Sequence, residues 1–249
     1  MTAGAVPAAV RRNPPPAEGE DQELTEVRLT NPWVITAANQ KGGVGKTVVT
    51  MGLCAHTAAA HGRALGVDVD PQANTHDLTS ALTDPGYDVI HELDPRQLER
   101  IRTLRSYDAI FVDCPGSLEG RAVLDEVLRW SDYVIIPYDH EPPSLSPTLN
   151  TVRYVTDRGV PYRVLLNNLD PRLGADHVMD AWQTLDAAGA ASFRTIVRQY
   201  RAWPNSLRDG VPITRYRAKY AANARQDIAA VHTELLLELG RKATPAGAR

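Results

Sequence analysis

A glycine-rich segment near the start of the chain carries a lysine at each end, KGGVGKT at residues 41–47. Glycines let a backbone fold around phosphates with its N–H groups pointing inward, while a lysine and a hydroxyl at the end reach the β- and γ-phosphates and a Mg²⁺ ion. Lys46 and Thr47 fit those two roles. The cradle itself would be formed by Gly42, Gly43, Val44 and Gly45. Lys41 is one lysine more than such a motif needs.

Carboxylates follow the next two apolar runs. Side chains alternate along a strand, so Asp68 and Asp70 are expected to emerge on the same side, just where Pro71 stops sheet pairing. Asp113 ends the following run, where a carboxylate typically holds Mg²⁺ directly or through a water. Turn capping is the alternative for each acid. Together with Thr47, they would supply a metal, charge neutralisation and a carboxylate that orients an attacking water.

The elements that would position these residues alternate between strands and helices. The apolar run 33–38 predicts a buried strand before the loop, and 48–60 predicts a helix closed by Gly62. Further strands are expected at 65–69, 109–112, 133–137 and 163–166, and helices at 95–105, 118–130, 145–156, 176–188 and 221–239. This alternation predicts an α/β fold: a doubly wound, mostly parallel sheet with helices on both faces and its ligand beyond the carboxyl ends of the strands.

The composition indicates how the chain is organised. With 249 residues, 43% of them apolar, it can bury one sizeable core, expected over residues 31–242. Residues 1–30 are rich in proline, alanine and mixed charges and predict a disordered tail, and 243–249 a short flexible one. Without a signal peptide or a long apolar run, a soluble cytoplasmic protein is expected. Cys54 and Cys114 are predicted to be small buried hydrophobes, not a disulfide or metal pair.

Residues 194–225 are basic although the whole chain has a net charge of −3. The only acid in this stretch is Asp209, and tyrosines and a tryptophan are interleaved with the cations. That mixture suits contact with nucleic-acid phosphates, and the alternative is a solvated arginine face. The candidate DNA-binding residues are Arg194, Arg198, Arg201, Arg208, Arg215, Arg217 and Lys219.

Three segments together resemble the ParA/MinD family of deviant-Walker ATPases, and within it the small ParA (ParF-like) partition proteins. They are KGGVGKT with its extra lysine, DVDPQ at 68–72 and DCPGS at 113–117, and the similarity spans residues 33–239. The resemblance implies ATP and Mg²⁺ as cofactors. It also implies that Lys41 contacts the nucleotide of a second subunit in an ATP-sandwich homodimer, that Asp70 helps to position the hydrolytic water, and that Asp68 and Asp113 lie near the metal.

The function implied by the resemblance is that of a slow ATPase. Its ATP dimer would bind nonspecific double-stranded DNA on the nucleoid, and a ParB-like or small centromere-binding adaptor would stimulate hydrolysis and release it, which segregates a plasmid or chromosome. A DNA-scaffolded positioning ATPase for a protein cargo, or an adaptor with negligible turnover, remains open. A membrane-positioning relative would need a bulky amphipathic carboxyl-terminal helix, which 240–249 does not predict, and an iron–sulfur carrier would need paired cysteines.

Two further positions bear on the nucleotide. Val48 stands where relatives usually have a second threonine touching the α-phosphate, so the missing hydroxyl is expected to weaken nucleotide binding by roughly threefold to tenfold. Asn167 and Asn168 end a predicted strand next to the expected adenine position. Either amide could read the base, although asparagine at a strand end is also a common turn former.

Overall fold

A computed structural model describes residues 31–116 and 121–243 of the protein. The predicted tail at 1–30, Ser117 of the DCPGS segment, the first residues of the helix predicted from 118, and residues 244–249 lie outside that range. The strands are β1 Trp33–Ala37, β2 Ala64–Asp68, β3 Asp88–His91, β4 Ala109–Asp113, β5 Tyr133–Tyr138, β6 Tyr162–Leu169 and β7 Ser192–Arg198.

The strands form one seven-stranded sheet in the order β3-β2-β4-β1-β5-β6-β7, and every neighbouring pair is parallel. Parallel neighbours need crossover connections, which helices provide. The helices are α1 Lys46–Ala59, α2 Asn74–Ser80, α3 Pro95–Ile101, α4 Arg121–Trp130, α5 Leu145–Thr156, α6 Ala175–Ala187, α7 Ala202–Arg208 and α8 Ala221–Ala243, with a 3-10 turn at Pro142–Ser144 before α5.

The core lies in two apolar layers, one on each face of the sheet. Side chains alternate along a strand, so Ile110 and Val112 of β4 join the layer that also contains residues of α3, α4, α5 and α6. Phe111, between them, joins the layer formed with α1, α7 and α8. The predicted doubly wound α/β sheet is thereby confirmed, and it is parallel throughout the described strands.

Several element predictions were incomplete. The strands β3 and β7 and the short helices α2 and α7 were not predicted. Both unpredicted strands lie at the edges of the sheet, where polar residues interrupt the apolar runs by which buried strands are recognised. The run predicted at 163–166 extends over Tyr162–Leu169, so Asn167 and Asn168 belong to β6. At the end of α1, His61 and not Gly62 takes the left-handed conformation, with φ 64°.

Cys54 and Cys114 are both buried free thiols, as predicted. Over residues 31–116 and 121–243, no helix combines the length and the apolar character needed to cross a membrane.

Helix α1 is packed closely against α7 and α8 at Gly52. A Cβ atom placed on Gly52 would lie 3.0 Å from Ile228 Cδ1 and 3.0 Å from Trp203 Cη2. A side chain at this position would force Ile228 or Trp203 to move, because protein interiors are packed as densely as organic crystals.

We therefore expect Gly52→Val to lower the free energy of unfolding by about 1–3 kcal/mol, the usual cost of overpacking a core. Gly240→Val is the matched control: it makes the same exchange within a helix, but a Cβ on Gly240 meets no atom within 4 Å among the described residues. Urea unfolding of both variants measures the difference. Equal stabilities would contradict the close packing of α1 on α7 and α8.

Candidate active site

The acids and the glycine-rich loop meet at one edge of the sheet. Asp68 at the end of β2 is in register with Asp113 at the end of β4, and Asp113 is in register with Ala37 at the end of β1. The loop 38–45 follows β1 directly and leads into α1. In open parallel sheets, this carboxyl-terminal edge is where ligands bind.

The backbone of the loop depends on two glycines. Gly43 has φ 83° and Gly45 has φ 86°, which are left-handed conformations that other residues adopt only with strain. Gly45 is also the N-cap of α1, and the first turn of α1 contains no acidic residue. The unpaired N–H groups and partial positive charge of a helix N-terminus favour an anion. The loop and α1 together therefore suit a phosphate group.

Lys46 lies inside this cradle. It is 7% exposed, and its Nζ donates a hydrogen bond to the Lys41 carbonyl at 3.3 Å. Burial lowers the pKa of Lys46, while the negative charges of Asp113 and, more weakly, Asp70 oppose that effect. A Cβ on Gly116 would lie 3.0 Å from the Gly42 Cα and 3.0 Å from the Lys46 Nζ, so a glycine after β4 leaves space for the loop backbone and for the ammonium group. The one hydrogen-bond partner of this ammonium group among the described residues is a carbonyl oxygen, so a phosphate would supply a negatively charged partner.

Asp113 connects the loop to α2. Its Oδ2 accepts hydrogen bonds from Thr47 Oγ1 at 2.6 Å and from Thr75 Oγ1 at 2.5 Å. Its Oδ1 is buried and has no hydrogen-bond partner among the described residues. Burial raises the pKa of Asp113 to about 6, although the two threonine hydroxyls stabilise the carboxylate. An unpartnered carboxylate oxygen beside a threonine hydroxyl fits a Mg²⁺ ion and its water shell.

The described residues contain no cluster of three or more His, Cys, Asp or Glu side chains that would enclose a metal ion. Such a cluster is not required for Mg²⁺, which keeps several waters and is usually held by one or two protein ligands together with substrate phosphates. Thr47 and Asp113 could provide that limited set of ligands.

Asp68 supports the neighbouring loop. It is fully buried, with its Oδ1 accepting the Asp70 N–H at 3.0 Å and its Oδ2 accepting the His76 N–H at 3.0 Å. Burial raises the pKa of Asp68, and these backbone hydrogen bonds oppose the rise. Both carboxylate oxygens thus already bind backbone, which shapes the segment between β2 and α2. The predicted position of Asp68 near a metal stays a prediction.

Asp70 is the more accessible of the two acids. It lies in the loop after β2, half-buried, and its Oδ1 accepts the Gln72 N–H at 2.9 Å. Its carbonyl oxygen accepts the Ala73 N–H at 2.9 Å and lies 3.0 Å from His91 Nε2. The backbone of Asp70 is therefore fixed on both sides, and its carboxylate is close enough to Lys46 for its charge to raise the pKa of that ammonium group.

Asn167 of β6 supports the phosphate loop. It is 2% exposed and donates through Nδ2 to the Val44 carbonyl at 2.6 Å. Its Nδ2 would lie only 2.3 Å from a Cβ on Gly45. Asn168 is exposed, with φ 60°. The Nδ2 of Asn167 is thus already used within the chain, and base reading by either asparagine stays a prediction.

Val48 lies in the first turn of α1. Its side chain is half-buried and packs against the apolar layer formed with α7 and α8. A threonine at this position has nearly the same shape, so the site has room for the hydroxyl that relatives usually carry.

Intramolecular partners occupy several of the candidate DNA-binding residues. Arg198 pairs with Asp227 at 2.5 Å, and Arg215 pairs with Asp84 at 2.8 Å. Arg208 pairs with its neighbour Asp209 at 3.0 Å. The structure places four candidates at exposed positions without an acidic side-chain partner among the described residues: Arg194, Arg201, Arg217 and Lys219.

An aromatic stack brings three of those four residues into one region. Tyr200 and Tyr220 stack with their ring centroids 5.8 Å apart, which joins the segment after β7 to the segment before α8. Lys219 Nζ lies 4.9 Å from the centroid of the Tyr220 ring, and Tyr220 is 53% exposed. We call this region, formed by Arg201, Arg217, Lys219 and Tyr220, the basic surface.

Sequence reasoning missed several residues that shape the site. Thr75 holds Asp113, Gly116 makes room for Lys46, and Asn39 accepts the Lys41 N–H at 2.9 Å. Thr75 and Asn39 lie next to the motifs that were recognised. Their types are common at turns, so the sequence does not show that their side chains reach another segment.

The family of the chain follows from comparison with known proteins. Residues 35–243 match the model of the CobQ/CobB/MinD/ParA nucleotide binding domain. The chain belongs to this family, and the predicted resemblance to ParA/MinD proteins is confirmed.

Two relatives illustrate the range of proteins that this chain resembles in sequence. The chain is 35% identical over 209 residues to the maintenance of carboxysome distribution protein A of Gloeobacter kilaueensis, covering 82% of this chain and 94% of the relative. It is 34% identical over 189 residues to the sporulation initiation inhibitor protein Soj of Bacillus subtilis, covering 56% and 74%.

Solved structures share the fold. The McdA(D38A)–ATP complex of Cyanothece matches with a TM-score of 0.67 at 13% identity, covering 83% of this chain and 97% of that one. The septum site-determining protein MinD of Pyrococcus horikoshii, complexed with Mg-ADP, matches with a TM-score of 0.66 at 19% identity, covering 82% and 96%.

The contact between Gly45 and Asn167 allows a test of the loop geometry without nucleotide. Both Gly43→Ala and Gly45→Ala place a side chain at positive φ, which costs about 1–2 kcal/mol. Only Gly45→Ala also collides with Asn167, so it should lower the free energy of unfolding further, and adding Asn167→Ala should recover part of that loss. Urea unfolding measures all three variants. An equal loss in Gly43→Ala and Gly45→Ala would contradict the bracing by Asn167.

Proposed function

We propose that the protein is an ATP-dependent switch that positions a cargo over DNA. ATP joins two copies, the dimer binds nonspecific double-stranded DNA, and hydrolysis stimulated by a partner separates the copies and releases the DNA. The observation that carries this proposal is the combination of a complete phosphate cradle with a further lysine, Lys41, at its mouth. Lys41 is half-exposed and has no acidic partner among the described residues, so its ammonium group is free to meet a second molecule.

ATP and Mg²⁺ fit the residues of the cradle. The loop N–H groups, Lys46 and the N-terminus of α1 would hold the phosphates, and Thr47 and Asp113 would hold Mg²⁺. When bound, Mg²⁺ neutralises charge that develops on the phosphate oxygens. Asp70, whose negative charge acts on Lys46, would orient the attacking water. Hydrolysis would be slow until a partner binds, as the resemblance to ParA proteins implies.

DNA binding is proposed for the basic surface together with Arg194. Cations free of acidic partners retain their full charge for phosphates, and an exposed tyrosine adds contact area. Arg198, Arg208 and Arg215 would have to give up ion pairs first, so they are weaker candidates. A dimer doubles the number of cations, which links DNA binding to ATP. The protein would then act in the cytoplasm on the nucleoid, without a membrane.

Two kinds of cargo are candidates, a protein assembly and a replicon. Similarity to a carboxysome distribution protein over 94% of that relative favours a protein assembly moved over DNA. Similarity to the chromosome partitioning protein ParA of Myxococcus xanthus, 33% identical over 150 residues and matched over 52% of its length, favours a chromosome or plasmid. A protein cargo implies an adaptor on the assembly, and a replicon implies a ParB-like or small centromere-binding adaptor. Pull-down of a tagged Asp70→Ala variant with ATP, followed by identification of the partner, distinguishes the two.

The switch itself predicts nucleotide-dependent DNA binding. Retention on nonspecific DNA should be high with ATP and low with ADP or no nucleotide, and Asp70→Ala should prolong the ATP state because hydrolysis is impaired. Filter binding across a salt series measures it. If a dimer neutralises about six phosphates, log affinity should fall with log salt at a slope near −5. Equal retention in all nucleotide states, or a flat salt response, would refute the switch.

The basic surface predicts which cations matter. Arg217→Ala should reduce the magnitude of the salt slope, by about one for each phosphate that is no longer neutralised, and weaken binding to all DNA sequences equally. Arg129→Ala is the matched control, since Arg129 is exposed on α4 and pairs with Glu126 at 3.0 Å. The same salt series is measured for both variants. Identical salt slopes for Arg217→Ala and Arg129→Ala would show that Arg217 does not contact DNA.

Val48 predicts a gain of function in nucleotide binding. Val48→Thr restores a hydroxyl near the α-phosphate position, so the ATP dissociation constant should fall by about threefold to tenfold, the effect of one neutral hydrogen bond. Titration calorimetry with ATP measures it, with Val49→Thr as a control, because Val49 is fully buried in the apolar layer. An unchanged or larger dissociation constant in Val48→Thr would contradict its placement beside the phosphate.

A further inference from the structure

Helix α5 carries two threonines on its buried face. Thr148 and Thr151 are 0% and 1% exposed and lie three residues apart, hence on one side of the helix. Other buried positions on the same helix, Val152 and Val155, have apolar side chains. A buried hydroxyl is costly unless it is hydrogen-bonded, so the partners of these two threonines indicate what they do.

Both threonines contact the chain just ahead of the phosphate cradle. Thr151 Oγ1 accepts the Gln40 N–H at 3.0 Å, and Thr148 Oγ1 accepts Asn39 Nδ2 at 2.9 Å. Asn39 Nδ2 also donates to the Pro137 carbonyl at 2.8 Å, and Asn39 Oδ1 accepts the Lys41 N–H at 2.9 Å. Asn39 itself is 2% exposed. Two consecutive backbone N–H groups, those of Gln40 and Lys41, are thus held by side chains.

These contacts fix the main chain of Lys41 against α5 and β5 and do not involve the cradle. A lysine side chain is a flexible four-carbon stem, so its ammonium group is directed only as well as its backbone is held. Misplacement by about 1 Å can cost two orders of magnitude in an oriented reaction. We infer that Asn39, Thr148 and Thr151 are positioning residues that direct Lys41 toward the second subunit. This inference rests on the proposed role of Lys41.

Thr151→Val tests the inference because it keeps the shape of the side chain and removes the hydroxyl. With ATP, the dimer dissociation constant should rise by about tenfold, the effect of losing a buried hydrogen bond. Nucleotide binding by the monomer should change less than twofold, since Thr151 does not contact the cradle. Thr151→Ser keeps the hydroxyl and should retain near-native dimerisation. Analytical ultracentrifugation with ATP, and nucleotide titration at low protein concentration, measure these two quantities.

Thr156→Val is the matched control on the same helix. The Thr156 hydroxyl donates to the Val152 carbonyl at 2.8 Å and its residue is exposed, so its removal should leave dimerisation unchanged. Amide exchange measured by NMR gives a second readout without nucleotide. Exchange at Gln40 should become faster in Thr151→Val and stay slow in Thr156→Val.

Variants made in the Lys41→Ala protein distinguish the proposed role of Lys41 in dimerisation from the positioning role of Thr151. If Thr151 acts through Lys41, then adding Thr151→Val to Lys41→Ala should cause no further loss of dimerisation at protein concentrations high enough for Lys41→Ala itself to dimerise with ATP. If Lys41→Ala does not weaken dimerisation at all, the proposed role of Lys41 fails, and the inference falls with it. If Lys41→Ala weakens dimerisation while Thr151→Val behaves like Thr156→Val, only the positioning role is overturned.

Discussion

The hydrogen bonds from Thr47 and Thr75 to Asp113 join three segments of the chain at one point. Thr47 belongs to the phosphate loop and α1, Thr75 to α2, and Asp113 to the end of β4. Burial of this carboxylate is unfavourable, as its raised pKa shows, and its unpartnered oxygen has no means of recovering that cost within the described chain. A metal ion with its water shell would recover that cost, so binding of the metal would stabilise the site.

The loop between β1 and α1 is held by residues from several other parts of the chain. Asn167 of β6 holds the Val44 carbonyl, Gly116 after β4 leaves space for Lys46, and Asn39 ties the start of the loop to β5 and α5. Strands on both sides of β1 therefore contribute to one loop. Groups fixed before the ligand arrives lose little entropy on binding and need little reorganisation during reaction. The order of strands in the sheet is what brings these residues together.

Much of this arrangement could be predicted from the sequence, and the remainder could not for physical reasons. Lys46, Thr47 and Asp113 lie in short motifs that can be recognised from neighbouring residues alone, so the sequence was enough to name them as candidates. The bracing by Asn167 and Thr151 depends on contacts between residues more than a hundred positions apart, which no local pattern records. The edge strand β7 was missed because arginines interrupt its apolar pattern. Its N–H groups at Arg194, Thr195 and Arg198 are bound by Glu234 and Asp227 of α8.

The central claim is that ATP, through Lys41, joins two copies of the chain. The most direct measurement is the mass in solution by sedimentation, for the native protein and Lys41→Ala, with ATP and with ADP. The account predicts twice the 27.2 kDa chain mass for the native protein with ATP, and the mass of one chain in the other three conditions. An ATP-dependent dimer of undiminished stability in Lys41→Ala, or a native protein that stays monomeric with ATP at saturating concentration, would contradict it.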